Sequence, residues 1–415
     1  MNNNENIAIP ENYIKEAEFL ARNTEILPGG VMELAKKLKK SKEENKPLRI
    51  KLGLDPTRPD LHLGHTVVMR KLKQFQDAGH QAVLIIGGAT AMIGDPSGKT
   101  ETRPGLTLEE VNENAKTYLD QTGKVVDVSK AEIVNNANWL QKMNLAGLLR
   151  LASNVTVAQM LVREDFSKRY KEEKPISLHE FFYPLMQAYD SVEVNSDIEL
   201  GGTDQRFNVL LGRDMQQAYN KNNSQLVMLL PLLEGTDGVV KMSKTYPEHC
   251  ISLSDTPQNM YGKIMSIPDS LIIRYFELLT DISTNELENY KKELESGCVN
   301  PRDYKMKLAK VIITYYHSCE EAEKAEQEFI NIFREKGLPK EISEYKINEE
   351  FLLIDFIAEN NLAPSKAEAK RLIKGGGVKI DKEKVSDIAQ KIEFKGKDSL
   401  ILQVGKRKFA KLVNK

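Results

Sequence analysis

Residues 49–88 read RIKLGLDPTRPDLHLGHTVVMRKLKQFQDAGHQAVLIIGG, and this stretch decides the fold. The alternating residues of RIKLGL predict a strand. Further on, Val68, Leu72 and Phe75 recur at helical spacing and Gly79 ends the pattern, which predicts an amphipathic helix. The apolar run AVLIIGG then predicts a second strand. Because a strand, a helix and a strand in this order require a parallel sheet, we expect an α/β fold with a doubly wound parallel sheet.

The rest of the chain divides by its hydrophobic pattern. The apolar run LVMLLPLL, which ends at Glu234, predicts one more strand, and helical periodicity continues from Tyr246 to about Lys336. The polar segment 340–349 is expected to be a linker. The expected domains are a sheet domain at 1–238 with a helical insertion at about 106–200, a helical domain at 239–340, and a small unit at 350–415.

Composition limits the classes of function. The chain has 415 residues, of which 40% are hydrophobic and 29% charged, as in ordinary globular proteins. Its formal net charge of -1 means that a nucleic-acid partner would have to bind a local basic surface. Cys250, Cys298 and Cys319 lack paired spacing, which predicts reduced thiols and a cytoplasmic location. We expect neither a signal peptide nor a membrane helix, because no apolar run is long enough.

The first candidate site follows the first strand. Asp55-Pro-Thr57 and His62-Leu-Gly64-His65 lie where the strand ends and the first helix begins. Ligands of doubly wound sheets bind beyond the carboxyl ends of strands, where a helix N-terminus offers free N–H groups. Gly64 allows a nucleotide to approach, and the two imidazoles can donate hydrogen bonds to phosphate oxygens. The alternative, a pair of packing or surface histidines, would be favoured for this short pattern in isolation.

A second candidate phosphate site is Lys241-Met242-Ser-Lys244-Thr245. Its two ammonium groups and two hydroxyls follow an apolar strand and can hold pyrophosphate. Alone, such a cluster would be a solvated charged turn. The combination of the two motifs makes a nucleotide site the specific interpretation.

A third stretch, Gly94-Asp95-Pro-Ser-Gly-Lys99-Thr, is similar in composition to a P-loop but differs in spacing. A P-loop requires a glycine five positions before Gly98, where this chain has Ile93. Asp95, Lys99 and the nearby Arg103 therefore need another role.

HLGH and KMSKT resemble the two signatures of the class I aminoacyl-tRNA synthetases. Over most of the chain GLDPTRPDLHLGH, GDPSGKTETRP, YPLMQAYD, ELGGTDQRFN and KMSKT are similar, in this order, to motifs of the tyrosyl-tRNA synthetase family, in its bacterial subgroup with HLGH. The resemblance implies a Rossmann-like catalytic domain that activates tyrosine with ATP, transfers it to the terminal ribose of tRNA, and releases AMP and diphosphate. It also implies ATP with Mg²⁺ as substrate, no other cofactor, no protein-ligated metal, and a homodimer.

Offsets of four and seven put Tyr183, Gln187 and Asp190 on one helix face. By the resemblance, Asp190 accepts the proton of the substrate's hydroxyl group. Tyr183, Gln187 and Asp95 surround its ammonium group, and Gln205 lies near its carboxylate.

One departure from the family affects the phenol. Better-known members have Tyr-Cys where this chain has Lys51-Leu52, so a tyrosine that also contacts the phenol is missing. More of the recognition therefore falls to Asp190.

The implied first step is in-line attack of the tyrosine carboxylate on the α-phosphate of ATP. It needs no general base, so catalysis comes from positioning and from stabilising charge on the phosphates. The roles implied by the resemblance are catalysis for Thr57, His62, His65, Lys241, Lys244 and Thr245, ATP binding for Asp55, Gly64, Gly202, Asp204, Met242 and Lys244, tyrosine binding for Asp95, Tyr183, Gln187, Asp190 and Gln205, and pyrophosphate or loop contacts for Lys99 and Arg103.

The last unit contains a basic helix before Gly375-Gly-Gly377, and it resembles the S4 RNA-binding domain. Positive side chains at helical spacing can follow an RNA backbone, although a solvated basic helix is the alternative for such a segment alone. The resemblance therefore implies tRNA as a partner, and the candidate RNA contacts are Lys366, Lys370, Arg371 and Lys374.

Three other functions remain open on the sequence. One is a non-catalytic RNA-binding protein on a synthetase scaffold, against which the intact HLGH and KMSKT argue. Another is a nucleotidyltransferase of the same H-x-G-H superfamily without an RNA partner, which the basic last unit disfavours. The third is a tryptophan-specific synthetase, which the resemblance of QAYDS and GGTDQ disfavours.

Overall fold

A computed structural model describes residues 9–56, 60–95, 107–221, 224–334, 342–347, 351–394, 397–405 and 408–414. The strands are β1 Glu25–Leu27, β2 Arg49–Leu54, β3 Gln81–Ile86, β4 Glu132–Asn135, β5 Ile198–Gly202, β6 Leu226–Leu230, β7 Ser343–Ile347, β8 Val378–Ile380, β9 Glu383–Lys384, β10 Ser399–Val404 and β11 Lys408–Asn414. The helices are α1 Glu11–Ala21, α2 Gly30–Glu43, α3 Leu63–Asp77, α4 Thr90–Ile93, α5 Leu108–Thr122, α6 Ala137–Leu140, α7 Leu145–Ala152, α8 Val157–Met160, α9 Glu164–Lys171, α10 Phe182–Glu193, α11 Arg206–Ala218, α12 Pro257–Met265, α13 Ile272–Leu279, α14 Thr284–Glu295, α15 Pro301–Tyr316, α16 Cys319–Arg334, α17 Leu353–Glu359 and α18 Lys366–Lys374.

The first sheet has the order β1-β6-β5-β2-β3-β4, in which β1 is antiparallel and the other neighbours are parallel. The chain runs outward from β2 through β3 and β4 and returns to β5 on the other side of β2. The strand order therefore reverses between β2 and β5, and ligands of such sheets bind at the carboxyl ends of the strands on either side of this point. The expected doubly wound parallel sheet is confirmed, including the strand, helix and strand from Arg49 to Ile86.

The central strands are buried on both faces. All five residues of β6 are buried, and so are five of the six residues of β3. The apolar run that suggested a strand up to Glu234 is paired only to Leu230. The strand stops there because the next residue, Pro231, has no N–H group to donate to a neighbouring strand.

The region 106–200 is mostly helical, as expected, but it also supplies an edge strand. Strand β4 pairs in parallel with β3, from Glu132 opposite Val83 to Asn135 opposite Ile86. Only two of its four residues are apolar, and because Ile133 and Val134 are adjacent, no alternation in the sequence indicates a strand. The residues that follow β4 consequently lie at the same sheet edge as those that follow β3.

Helices α13 to α15 confirm the helical pattern of the following region, and α13 packs against α3. The chain forms two compact units, one comprising Met1–Thr256 and Lys263–Ser318 and the other Pro257–Gly262 and Cys319–Lys415. The expected domain limits at 238–239, 340 and 350 stay a prediction. Among the described residues, no helix has the length and apolar character needed to cross a membrane.

The second compact unit contains a sheet with the order β7-β11-β10-β8-β9. Alternate residues of β10 are buried, and Leu402 joins Leu353 and Ile357 of α17 and Ile373 of α18 in one core. The interpretation of 340–349 as a linker is wrong for Ser343–Ile347, which pairs in parallel with β11. Most side chains of this strand are exposed, so its sequence is polar and charged and does not indicate a strand. The strand pairs through its backbone hydrogen bonds.

Candidate active site

A cavity of about 360 Å³ lies at the carboxyl ends of β2, β5 and β6 and includes most of the residues that the sequence indicated. Lys244 and Thr245 do not line it, and Thr57, Lys99 and Arg103 lie outside the described residues. The indicated residues that line it are Asp55, His62, Gly64, His65, Asp95, Tyr183, Gln187, Asp190, Gly202, Asp204, Gln205, Lys241 and Met242.

The carboxylate of Asp190 is buried in helix α10 and accepts two hydrogen bonds. Trp139 donates its indole N–H to Oδ1 at 2.9 Å, and Asn136 donates its amide to Oδ2 at 3.1 Å. Burial raises the pKa of Asp190 to about 7, against the positive charge of Lys51 and these two donors, which lower it. Asp190 is therefore a hydrogen-bond acceptor whose charge depends on pH near neutrality.

Tyr183, the second residue of α10, connects this helix to the end of β2. Its buried hydroxyl donates to Oδ2 of Asp55 at 2.7 Å, and Thr90 donates to Oδ1 of the same carboxylate at 2.8 Å. Burial and the charge of Asp55 raise the pKa of Tyr183 well above its usual value, so it stays neutral. A Cβ at Gly87 would lie 1.8 Å from Oδ1 of Asp55, so only glycine allows this arrangement.

A chain of amides and charges links three of the indicated residues. Gln205 donates to Asp95 at 2.8 Å, and the amide of Asn208 donates to Gln205 and to Gln187, at 3.0 Å each. Arg163 holds the carbonyl oxygen of the Asn208 side chain at 2.9 Å. These contacts hold the carboxylate and amide groups on this side of the cavity in fixed positions.

His62 caps helix α3, and His65 lies one turn further on, with ring centroids 3.8 Å apart. The backbone N–H of His62 donates to Nδ1 of His65 at 3.2 Å, so the proton of a neutral His65 is on Nε2. Burial and the charge of Lys244 lower the pKa of His65 to about 3, and burial and neighbouring positive charges lower the pKa of His62 well below its usual value. Both imidazoles are neutral and can act as hydrogen-bond donors without a charge.

The lysine motif follows a hairpin that leads away from β6. Met242 donates its N–H to the carbonyl of Leu233 at 2.8 Å, which holds the motif beside the end of the strand. Lys241 pairs with Asp204 at 2.7 Å. Lys244 donates to the Tyr118 hydroxyl at 2.8 Å and lies 4.9 Å from the centre of its ring. Each ammonium group therefore already has a protein partner.

Comparison with known proteins identifies the family. The family model for "tRNA synthetases class I (W and Y)" matches residues 42–334. A tyrosine–tRNA ligase of Carboxydothermus hydrogenoformans is 53% identical over 95% of this chain and 98% of its own length, and one of Thermotoga maritima is 52% identical over 88% and 90%. The chain belongs to the class I tyrosine–tRNA ligase family. This membership confirms the resemblance drawn from HLGH and KMSKT, and it does not favour a tryptophan-specific or non-catalytic relative.

Solved structures agree on the fold. The chain matches a C-terminally truncated mitochondrial tyrosyl-tRNA synthetase of Aspergillus nidulans with a TM-score of 0.63 and 21% identity, over 77% of this chain and 94% of that one. It matches a tyrosyl-tRNA synthetase of Archaeoglobus fulgidus with a TM-score of 0.60 and 23% identity, over 76% and 99%. At these identities the comparison supports the family's fold alone.

The S4 domain model matches residues 353–397, which confirms the expected S4-type unit. Helix α18 exposes all four candidate RNA contacts. Lys366 pairs with Asp355 at 3.0 Å and Arg371 with Glu368 at 2.7 Å. Lys370 and Lys374 have no acidic partner among the described residues, so their charges are the most available to a ligand.

Sequence reasoning missed several residues of the site in this family member. Asn136 and Trp139, which orient Asp190, follow the short strand β4 that the pattern did not reveal. Trp139 is the single tryptophan of the chain, a signal that could have drawn attention to it. Asn208 could have been found as the residue three positions after Gln205, and thus on the same helix face. No sequence signal indicated that Tyr118 contacts Lys244.

Proposed function

We propose that this family member forms tyrosyl-adenylate from L-tyrosine and ATP and transfers tyrosine to the terminal ribose of tRNA, using the cavity described above. The observation that carries the proposal is a buried acceptor, Asp190, in the same cavity as His62, His65 and Lys241. A buried carboxylate suits a phenol, whereas the imidazoles and ammonium groups suit phosphates. Groups suited to binding tyrosine and groups suited to binding ATP therefore line the same cavity.

ATP–pyrophosphate exchange with each of the twenty amino acids, in the presence and absence of tRNA, tests this function. Tyrosine alone should support exchange, and tRNA should not be needed for it. Preference for tryptophan, or no exchange with any amino acid, would contradict the proposal. Transfer of labelled tyrosine to tRNA then tests the second step.

For tyrosine binding, Asp190 is assigned to the substrate's hydroxyl group. Asp95, Tyr183 and Gln187 are assigned to the ammonium group and Gln205 to the carboxylate side. Support comes from the chain of hydrogen bonds from Asp95 through Gln205 and Asn208 to Gln187, because groups held by one another present their oxygens in fixed positions. Fixed dipoles recognise a substrate without having to reorganise.

For ATP, which the family uses as substrate, we propose that Mg²⁺ accompanies the phosphates and that His62 and His65 act as neutral N–H donors to phosphate oxygens. Gly64 supports this role because a Cβ there would lie 3.0 Å from the His62 ring and 3.7 Å from Cβ of Met242. Asp55, Gly202, Asp204 and Met242 are assigned to nucleotide contacts. They are expected to orient the α-phosphate for attack by the tyrosine carboxylate.

Lys241 and Lys244 are assigned to the leaving pyrophosphate, together with Thr245. To reach the pyrophosphate, Lys241 must leave its ion pair with Asp204, and Lys244 must leave its hydrogen bond with Tyr118. Each lysine would then bind a phosphate instead. Such an exchange of partners is what a loop that closes over a bound nucleotide requires. Thr57, Lys99 and Arg103 are assigned to the same phosphates on their sequence positions alone.

For tRNA, the exposed face of α18 is assigned to the RNA backbone through Lys366, Lys370, Arg371 and Lys374. Lys370 and Lys374 support the assignment most directly because their charges are not neutralised by described neighbours. Phosphate contacts of this kind release counterions, so their strength falls steeply with salt.

Replacing Lys370 and Lys374 together with alanine should raise KM for tRNA and lower the slope of log KM against log salt concentration by about 1 per lysine. Tyrosine-dependent ATP–pyrophosphate exchange should stay unchanged. The matched control replaces Lys15 and Lys36, two exposed lysines of α1 and α2, with alanine. An unchanged salt slope in the Lys370 and Lys374 variant would remove α18 from the RNA-binding surface.

A homodimer is proposed on the apolar side chains exposed between residues 145 and 178. Exposed apolar side chains concentrated in one segment favour a protein interface. Sedimentation at assay concentration should give twice the mass of one chain, and a single-chain mass would contradict the proposal. The exposed side chains in this segment are Leu145, Leu149, Val157, Val162, Tyr170 and Leu178.

A cytoplasmic location is proposed on the three cysteines. Cys250, Cys298 and Cys319 all have free thiols, and Cys298 and Cys319 are exposed. Exposed free thiols suit a reducing compartment. Fractionation of cells should find the chain with the cytoplasmic proteins; recovery from an oxidising compartment would contradict this.

A further inference from the structure

Lys51 is a charged residue at the centre of the first sheet. It lies in the middle of β2 with a side chain only 1% exposed, and it lines the floor of the cavity together with Glu199. Glu199, also 1% exposed, is its partner in the parallel register of β2 and β5. The pair thus spans the point where the strand order reverses.

The ammonium group of Lys51 makes three hydrogen bonds. It donates to Oε1 of Glu199 at 2.9 Å, to the backbone carbonyl of Gln187 at 2.9 Å and to the hydroxyl of Ser191 at 2.7 Å. An ammonium group has three N–H donors, so none is left for a ligand. Lys51 therefore acts on α10, and not directly on a substrate.

Glu199 completes the network on the other side. Its Oε2 accepts from Ser191 and from the amide of Gln225, which precedes β6. A Cβ at Gly212 of α11 would lie 2.8 Å from Ser191 Oγ and 2.9 Å from this Oε2, so the helix leaves space for the network by having no side chain there. The network joins β2, β5 and the residue that precedes β6 to helix α10, and Gly212 of α11 lies against it.

Stability of the sheet does not explain this pair. A buried ion pair loses the hydration of both charges, and apolar residues of similar size usually stabilise a core at least as well. What Lys51 holds, however, is the turn of α10 between Gln187 and Ser191, and Asp190 lies within that turn.

We propose that Lys51 is a positioning residue for tyrosine recognition, which anchors the turn of α10 that carries Gln187 and Asp190 and places a positive charge near the Asp190 carboxylate. The proposal rests on the assignment of Asp190 to the substrate's hydroxyl group. Two charged groups act on Asp190: Lys51 lowers its pKa and Glu199 raises it. The neighbouring donors from the β4 side, Asn136 and Trp139, are uncharged.

The test compares Lys51→Met with the double variant Lys51→Met, Glu199→Gln, which removes both charges and keeps side chains of similar size. Lys51→Met should raise KM for tyrosine by about tenfold or more and change KM for ATP by less than about twofold. The pH midpoint of kcat/KM for tyrosine should move to higher pH. In the double variant KM for tyrosine should also rise, with a smaller displacement of the midpoint because the opposing charge of Glu199 is gone as well.

Lys71→Met is the matched control. Lys71 is also a buried lysine, but its ammonium group bonds the carbonyls of Leu20 and Arg22 and the side chain of Gln74, outside the cavity. The Lys71→Met variant should have a lower melting temperature, with KM for tyrosine and the pH midpoint of kcat/KM unchanged.

A folded Lys51→Met protein with the KM and midpoint of the unmodified chain would overturn the proposal. If Lys51→Met does not fold, an unchanged KM for tyrosine in the double variant would overturn it. Asp190→Asn in parallel separates the two levels. If Asp190→Asn leaves KM for tyrosine unchanged, the assigned phenol site is wrong. If Asp190→Asn raises KM for tyrosine while Lys51→Met leaves it unchanged, only the role of Lys51 is wrong.

Discussion

Replacing Asp190 with asparagine should lower kcat/KM for tyrosine by about 10²-fold, which corresponds to roughly 3 kcal/mol, and change kcat/KM for phenylalanine much less. Both carboxylate oxygens of Asp190 accept a hydrogen bond, from Trp139 and from Asn136. An asparagine amide would turn its NH₂ group toward one of these donors. The variant thus loses the charge and the orientation of the acceptor together.

The measurement is ATP–pyrophosphate exchange with both amino acids. Asp214→Asn, an exposed carboxylate on α11, is the control and should leave both values unchanged. Equal losses for tyrosine and phenylalanine would mean that Asp190 does not recognise the hydroxyl group.

The same carboxylate makes tyrosine recognition sensitive to pH. Burial raises the pKa of Asp190 to about 7, so it is ionised above this pH and increasingly protonated below it. Protonation removes the charged acceptor, so kcat/KM for tyrosine should fall by up to about tenfold per pH unit below the midpoint. Phenylalanine, which has no hydroxyl group, should show a much flatter profile. Equally steep profiles for both amino acids would contradict the assignment.

The second large effect is expected for the histidines of the first helix. His62→Ala and His65→Ala should each slow ATP–pyrophosphate exchange by about 10²-fold, or roughly 3 kcal/mol, and leave tyrosine affinity nearly intact. A donor that meets charge as it develops on the phosphates contributes mainly to the transition state. The Nε2–H of His65 is such a donor because its Nδ1 is occupied by the backbone N–H of His62.

His80→Ala is the control for both variants. His80 is a histidine of the same unit whose Nδ1 accepts from the backbone of Leu48, and it does not line the cavity. Because the pKa of His65 is lowered to about 3 and that of His62 well below its usual value, neither histidine should add a titration to the rate between about pH 6 and 8. An unchanged exchange rate in both variants would remove the two imidazoles from the mechanism.

Much of the fold could be predicted from local pattern. The strand, helix and strand from Arg49 to Ile86 follow directly from apolar spacing. The meeting of HLGH with the lysine motif could also be predicted, because carboxyl ends of parallel strands share one edge of the sheet. Asp204 and Gln205, which follow β5, line the same cavity because β5 ends at this edge of the sheet.

The remaining parts of the site depend on tertiary contacts that leave little trace in the sequence. Asn136 and Trp139 reach Asp190 only because β4 pairs with β3, and a strand of four residues has almost no periodic signal. Nothing in the alternating pattern of β2 indicated that the charged side chain of Lys51 is buried, yet the structure buries it. Its burial depends on Glu199, which lies 148 positions later in the chain. Pairing of Ser343–Ile347 likewise depends on a distant strand.

The cavity draws on separate elements for its two kinds of contact. Helix α10 carries the carboxylate and amide assigned to the amino acid, whereas α3 and the hairpin after β6 carry the groups assigned to phosphate. Changes at Gln187 or Asp190 can therefore alter the preferred amino acid while the groups assigned to phosphate stay in place, whereas Tyr183 of α10 also holds Asp55. A protein with this arrangement could evolve specificity for a different amino acid while it kept the groups that form adenylates.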